Sequence, residues 1–338
     1  MTRRLRPRAL AMPVDRSPQE NGQRGALLGL AGWGGRSSLL RGLALLALTG
    51  LVFFLLFRQI ELRPVLGLLG GLDWRIWCAA TLLILTIPVV SSYRWHLLLK
   101  ALGYRIGLGR CFTIIIGIFP LSAISPSKAG DVLKAFSLRR EIDPMVVAGS
   151  VLAERTLDLL TLSIYALLGG LYFQDARISM ISAALVLAIV AALALAWLGF
   201  LPGKGGPMRQ RLERLMRSLR SLAARPGYLA AVALLTAFNW LAAIFMTFLF
   251  FGGVGAQVPL IFTAAALPLA IFVGLLPVTI GGMGTRDGAM VYLFSAFAAP
   301  AQAMAVGLLY SFFAYWLLAL LGLPFMKGAL RLHGPARG

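Results

Sequence analysis

Long apolar stretches constrain this chain more than any motif in it. Residues 39–57, 76–90 with their flanks, 146–173, 178–201, 229–251 and 306–326 approach or exceed the roughly 20 residues that carry a helix across a bilayer. In hydrocarbon a backbone must satisfy its own hydrogen bonds, and a helix does so within one segment. With 59% hydrophobic and 13% charged residues, the chain has too few polar groups to cover a single soluble core. The fold expected is an all-α polytopic membrane protein with about six spanning helices.

The formal charge of +20 would suggest a nucleic-acid partner in a soluble chain. Here the basic residues fall between the apolar runs, as the positive-inside rule expects, and nucleic acid is excluded as a partner. Arg3, Arg4, Arg6, Arg8, Arg16, Arg24, Arg36 and Arg41 precede the first run and put the N-terminus in the cytoplasm. Residues 1–37 read as a disordered basic cytoplasmic tail and not as a cleaved signal. The loop at 203–227, with Lys204, Arg209, Arg211, Arg214, Arg217, Arg220 and Arg225, is the firmest cytoplasmic marker, and reads as a surface-lying amphipathic segment attracted to anionic lipid. A short cytoplasmic tail at 328–338 closes a transmembrane domain spanning 38–327.

Two segments break this simple count. The apolar run from Cys111 to Ser125 is only about 15 residues, or roughly 22 Å of helix against about 30 Å of hydrocarbon. Basic residues flank both of its ends, so the element at about 111–136 reads as re-entrant. The element at about 259–299 reads the same way from the opposite side. Residues 125–136 (SPSKAGDVLKAF) and 283–294 (MGTRDGAMVYLF) align without gaps, matching Ser127 to Thr285, Lys128 to Arg286, Gly130 to Gly288 and Phe136 to Phe294. An odd number of crossings separates the two, which makes them an inverted repeat of the kind from which transporters build a mid-membrane site.

Several residues then resemble a known family in order along the chain. They are Tyr93-Arg94-Trp95; Pro126, Lys128, Gly130 and Asp131; Glu154, Arg155 and Asp158; and Pro277, Gly281, Gly282, Gly284 and Arg286. The pattern resembles the lysylphosphatidylglycerol synthase transmembrane family, flippase-like and known as the membrane half of multiple peptide resistance factors, over roughly 39–326. Asp131 and Asp287 stand where the family often has glutamate. The resemblance implies a lipid substrate, with membrane lipids, in particular an anionic phospholipid, as partners and a separate lipid synthase as a further partner. The soluble aminoacyl-transferase domain of many relatives is expected to be absent. The location implied is the bacterial inner membrane, with both termini cytoplasmic.

The chemistry of these residues suits an anionic headgroup. Lys128 and Arg286 stand beside glycines, where backbone N–H groups help hold a phosphate that the side chain neutralises, Arg286 bidentately and Lys128 as a point charge. Pairing of these cations with Asp131 or Asp287 is the structural alternative. Glu154 and Asp158 are one turn apart on one face and, with Arg155, form a gate or proton relay, or else an ion pair that locks the bundle. Arg94 joins the headgroup set, or anchors a span end with its aromatic neighbours. Pro126, Gly130, Pro277, Gly281, Gly282, Gly284 and Gly288 permit broken backbone.

Inventory removes other chemistries. With two histidines, and two cysteines outside any CxxC spacing, no metal site or disulfide framework is supported. GGMGTRDG lacks the Walker spacing, so no ATP site or other cofactor is expected. The function expected is movement of a lipid between leaflets. The alternatives are an enzyme of lipid modification using Asp131, Glu154 or Asp158 as general base, and a scaffold for a separate synthase.

Overall fold

The computed structural model describes residues 36–125, 130–131, 133–197 and 207–330. Two compact units divide the chain at Ala47 and Leu48. In the first, the described residues are the opening turns of helix α1 (Arg36–Gln59). The second holds everything discussed below.

All regular structure among the described residues is helical. Four helices are long and apolar enough to cross a membrane: α3 (Trp74–Ala101), α7 (Ala176–Trp197, apolar over Ala176–Leu195), α9 (Pro226–Gly253) and the span Pro300–Ala329. That last span comprises α12 (Pro300–Ser311), a π-helical turn at Phe312–Leu317, α13 (Leu318–Gly322) and α14 (Met326–Leu330). Helix α6 (Pro144–Tyr172) has 29 residues, but Glu154, Arg155 and Asp158 interrupt its apolar character. Only 11% of the apolar window of α7 is buried within the protein, which leaves most of this helix facing outward. The chain is an all-α polytopic membrane protein.

Local chemistry starts these helices where they start. Asp143 accepts from Met145 N at 2.8 Å, and Pro144 fills the first helical position of α6, where no donor is lost. Asp73 caps α3 by accepting from Arg75 N at 2.8 Å. Asp175 accepts from Arg177 N at 2.9 Å and Ile178 N at 3.0 Å at the head of α7.

Each of the two similar segments follows a short apolar helix. In the first, α4 (Leu108–Ile124) is followed, among the described residues, by Ser125, Gly130 and Asp131 and then the short α5 (Leu133–Ser137). In the second, α10 (Leu260–Gly274) is followed by the 3₁₀ turn Ile280–Gly282 and α11 (Thr285–Leu293). At about 25 and 22 Å, α4 and α10 are both shorter than the hydrocarbon layer. A long helix opening on proline follows each hairpin, Pro144 in one case and Pro300 in the other. The second break needs glycine: Gly281, Gly282 and Gly284 have φ of 59°, 72° and 85°. A Cβ on Gly282 would stand 2.8 Å from Gly274 Cα, so the hairpin closes backbone to backbone.

The surrounding helices hold the hairpins. Helix α3 packs on α9, α10 on α6 and α11, and α4 on α13 and α14. An aromatic core joins α9 to α11 and the π turn, with Phe251 and Phe294 at 4.6 Å and Phe250 and Phe313 at 5.3 Å between ring centres. Helix α2 (Leu62–Gly70) adds Val65 to this core, and α8 (Pro207–Ala223) packs against α6.

Candidate functional site

Six ionisable side chains converge where α3, α5, α6 and the turn before α5 meet. Asp158 Oδ1 accepts from Arg94 Nη2 at 2.9 Å and from Trp240 Nε1, on α9, at 3.2 Å. Glu154 Oε2 accepts from Lys134 Nζ at 2.8 Å, and its Oε1 lies 3.9 Å from Arg94 Nη2. Arg155 bridges Asp131 at 2.6 Å and Asp158 at 3.1 Å. Arg94, Lys134, Glu154 and Asp158 are all at least nineteen-twentieths buried. One-turn spacing puts Glu154 and Asp158 side by side on α6, so two facing cations reach both carboxylates. Lys134 Nζ also lies 5.7 Å from the Trp95 ring, and Trp95 Nε1 donates to Ser150 Oγ at 3.1 Å.

Among the described residues this network has three cations and three carboxylates. Burial of that kind is tolerated only when each charge has a partner at hydrogen-bonding distance, as here. The N–H groups at Nε of Arg94 and Arg155 find no hydrogen-bond acceptor among the described residues. The network forms one wall of a half-open cleft with about 100 Å³ of room for water-sized molecules. Ile84, Ile115, Phe119, Met246 and Leu318 supply apolar walls, and Tyr310 and Tyr315 also line it.

Those tyrosines connect the cleft to a second cluster. The Arg286 guanidinium lies 4.7 Å from the Tyr310 ring centre and 5.1 Å from that of Tyr315. Its Nη2 donates to Asp287 Oδ1 at 3.0 Å and to Ser311 Oγ. Asp287 Oδ2 in turn accepts from Gly284 N at 2.9 Å and so caps α11. Arg286 is 1% exposed and Asp287 fully buried, and Nε and Nη1 of Arg286 have no hydrogen-bond acceptor among the described residues. In a regular α-helix, side chains five apart point about 140° away from each other. The π turn at Phe312–Leu317 is what brings Tyr310 and Tyr315 to one guanidinium.

Of the residues singled out from sequence, Arg94, Asp131, Glu154, Arg155 and Asp158 come together at the cleft. Arg286 and Asp287 form the separate, closed cluster behind the tyrosines. Lys128 and Pro126 lie outside the described residues, as do 1–35 of the N-terminal tail, Lys204 and residues 331–338. Gly130 lets the first turn press on α4, since a Cβ there would stand 2.7 Å from Ser122 Cα. Pro277 sits in the turn after α10, and Gly288 lies in α11 against Leu56.

Sequence reasoning missed Lys134, Trp240, Tyr310, Tyr315 and Ser311. Lys134 reads as one more cytoplasmic charge beside Arg139 and Arg140. Polar Ser311 between apolar residues was the available signal for the second cluster, because polar groups inside spans find partners.

The profile of the lysylphosphatidylglycerol synthase TM region matches residues 41–322. The chain belongs to this family. The match to the lysylphosphatidylglycerol synthase TM region takes in both hairpins and every residue of the two clusters. Two curated relatives are UPF0104 membrane proteins of methanogens. The protein of Methanocaldococcus jannaschii is 25% identical over 316 residues, covering 82% of this chain and 92% of that one. The protein of Methanothermobacter thermautotrophicus is 22% identical over 277 residues, covering 72% of this chain and 82% of that one.

Proposed function

We propose that this protein binds the headgroup of an anionic or modified phospholipid, or of another lipid, in the cleft between α3, α6 and α9 and moves it between leaflets. The observation that supports the reading best is the meeting of a buried ionic network with apolar walls in one half-open cleft inside a membrane protein. A lipid divides the same way, into a charged head and an apolar tail. A phosphate entering the cleft meets Arg94, Lys134 and Arg155 already holding carboxylates, so it takes the place of one anion beside a cation. That exchange avoids stripping a bare charge of its partner, which is the costly step in low dielectric. The guanidiniums offer planar bidentate donors and Lys134 a point charge. Glu154 and Asp158, when displaced, serve as the gate or proton-carrying groups, Lys128 is a further headgroup cation, and Arg286 acts on the path through Tyr310 and Tyr315.

In this reading the hairpins α4–α5 and α10–α11 enter the membrane from opposite sides without crossing it. Such inverted, broken elements allow a central site to face each side in turn. The basic helix α8 and both termini then lie on the cytoplasmic side of the bacterial inner membrane.

The test is transbilayer movement of labelled anionic phospholipid in proteoliposomes. The intact protein is compared with the double change Lys134→Met and Glu154→Gln, which removes one ion pair and leaves the net charge of the cleft unchanged. Movement by the intact protein that the double change abolishes supports the reading. A folded intact protein that moves none of several lipid classes refutes it.

A further inference from the structure

Helix α8, Pro207–Ala223, takes no part in the cleft described above. Its sequence PMRQRLERLMRSLRSLA gathers Leu212, Leu215, Leu219 and Leu222 on one side and Arg209, Arg214, Arg217 and Arg220 on the other. The apolar side is already used: Leu222 and Leu219 pack with Leu98, Ala101 and Val232 of α3 and α9. The arginines are exposed. Arg209 pairs with Glu213 of its own helix at 3.0 Å and Arg214 with Asp143 at 2.9 Å. Arg211 and Arg217 have no ion-pair partner among the described residues.

An open cleft of about 450 Å³ lies between α8 and the start of α6. Tyr104, Arg214, Arg217, Ser218 and Ser221 line it, together with the carboxylate of Asp143. Two guanidiniums, the Ser221 hydroxyl and a phenol are donors suited to phosphate oxygens, while Ser218 spends its own donor on Leu215 O at 2.7 Å, and the volume is within the range of small-molecule sites. Arg214 spends one Nη1 donor on Asp143 and keeps others for a second anion. The position selects the source of that anion. Helix α8 is tethered between the membrane helices α7 and α9, by residues 198–206 on one side and 224–225 on the other, so it stays at the membrane surface, among headgroups.

The cleft also touches the machinery of the main site. Asp143 has two tasks, capping α6 through Met145 N at 2.8 Å and holding Arg214. One and a half turns further on, Gly149 packs so closely on α8 that a Cβ would stand 3.0 Å from Ser218 Cβ and nearer still to its hydroxyl. Helix α8 therefore grips α6 at two points just before Glu154, Arg155 and Asp158.

We propose that the cleft formed by Tyr104, Arg214, Arg217, Ser218 and Ser221 binds the phosphate headgroup of an anionic phospholipid from the surrounding leaflet, and that the bound headgroup clamps α8 onto the first turns of α6. The lipid here acts as a regulator at the surface, and the inference stands whether or not the central cleft moves lipid.

The experiment is hydrogen exchange of the full chain in nanodiscs of phosphatidylcholine alone and with increasing fractions of phosphatidylglycerol. Residues 207–223 and 143–150 are expected to exchange more slowly as the anionic fraction rises, while α9 is unaffected. Arg217→Gln, at an exposed position outside the core, is expected to raise the fraction needed for half the protection about five-fold, the worth of one arginine near an anionic surface. Equal exchange in neutral and anionic nanodiscs overturns the proposal. So does full protection in neutral nanodiscs on adding inorganic phosphate, which would make this a soluble-anion site. Because exchange is read without any lipid movement, failure of this clamp and failure of transport are separate results.

Discussion

Replacing Lys134 by Met tests whether the buried network is held as the distances say. Lys134 and Glu154 have side chains 4% and 2% exposed and meet at 2.8 Å. With the ammonium gone, the nearest cation to Glu154 is Arg94 at 3.9 Å, too far for a hydrogen bond. Breaking a buried pair from one side costs about 3–5 kcal/mol, and the residual attraction of Arg94 puts this case near the lower end, about 3 kcal/mol. The thioether of Met retains contact with Trp95, so loss of the cation–π interaction adds little. Glu154→Gln alone leaves Lys134 as the orphan and costs a similar amount. The double change leaves neither charge and is expected to cost only about 1 kcal/mol, where independent changes would cost about 6 kcal/mol, so the two are coupled by about 5 kcal/mol. Denaturant unfolding of all four proteins in one nanodisc composition measures the cycle. Additive costs, or a single change costing under about 1 kcal/mol, would refute a buried and mutually dependent pair.

Other outcomes follow from single contacts. Gly282→Ala forces a Cβ into Gly274 backbone at positive φ, where nothing can turn aside, and is expected to abolish folding or cost more than about 3 kcal/mol; Gly288→Ala meets only the flexible end of Leu56 at 3.2 Å and should cost under about 1 kcal/mol in the same unfolding assay. Arg286→Gln leaves the fully buried Asp287 without its cation and should cost about 3–5 kcal/mol, whereas Arg286→Lys restores part of the loss but not the double aromatic contact. Trp240→Phe keeps an aromatic ring and removes one donor from Asp158; the expected loss is about 1 kcal/mol in thermal unfolding.

The helical membrane fold was legible because span length and charge alternation are properties of contiguous residues. The break after α10 was legible too, since Gly281, Gly282 and Gly284 occupy backbone angles that few other residues tolerate. Assembly of the site depends on contacts between residues distant in the chain, and there the sequence was mute. Lys134 stands in a basic stretch that serves as a topology marker, and only the turn-and-short-helix geometry of α5 carries its ammonium inward to Glu154. Arg286 and its repeat-mate Lys128 suggested one shared headgroup clamp, whereas Arg286 is enclosed by Asp287, Ser311 and two tyrosines. Nothing in α-helical spacing brings Tyr310 and Tyr315 together, because the π turn that does so adds a residue to the period.

The cancelling charges of the cleft have an electrical consequence. With three positive and three negative groups, the described network carries no net charge when empty, so a membrane voltage does almost no work on its rearrangement. A cleft loaded with a singly charged anion carries one net charge, and crossing the full field is then worth about 2.3 kcal/mol per 100 mV. In a carrier built this way the voltage acts on the loaded stroke alone: an inside-negative membrane drives the anion outward and lets the empty site return without an electrical penalty.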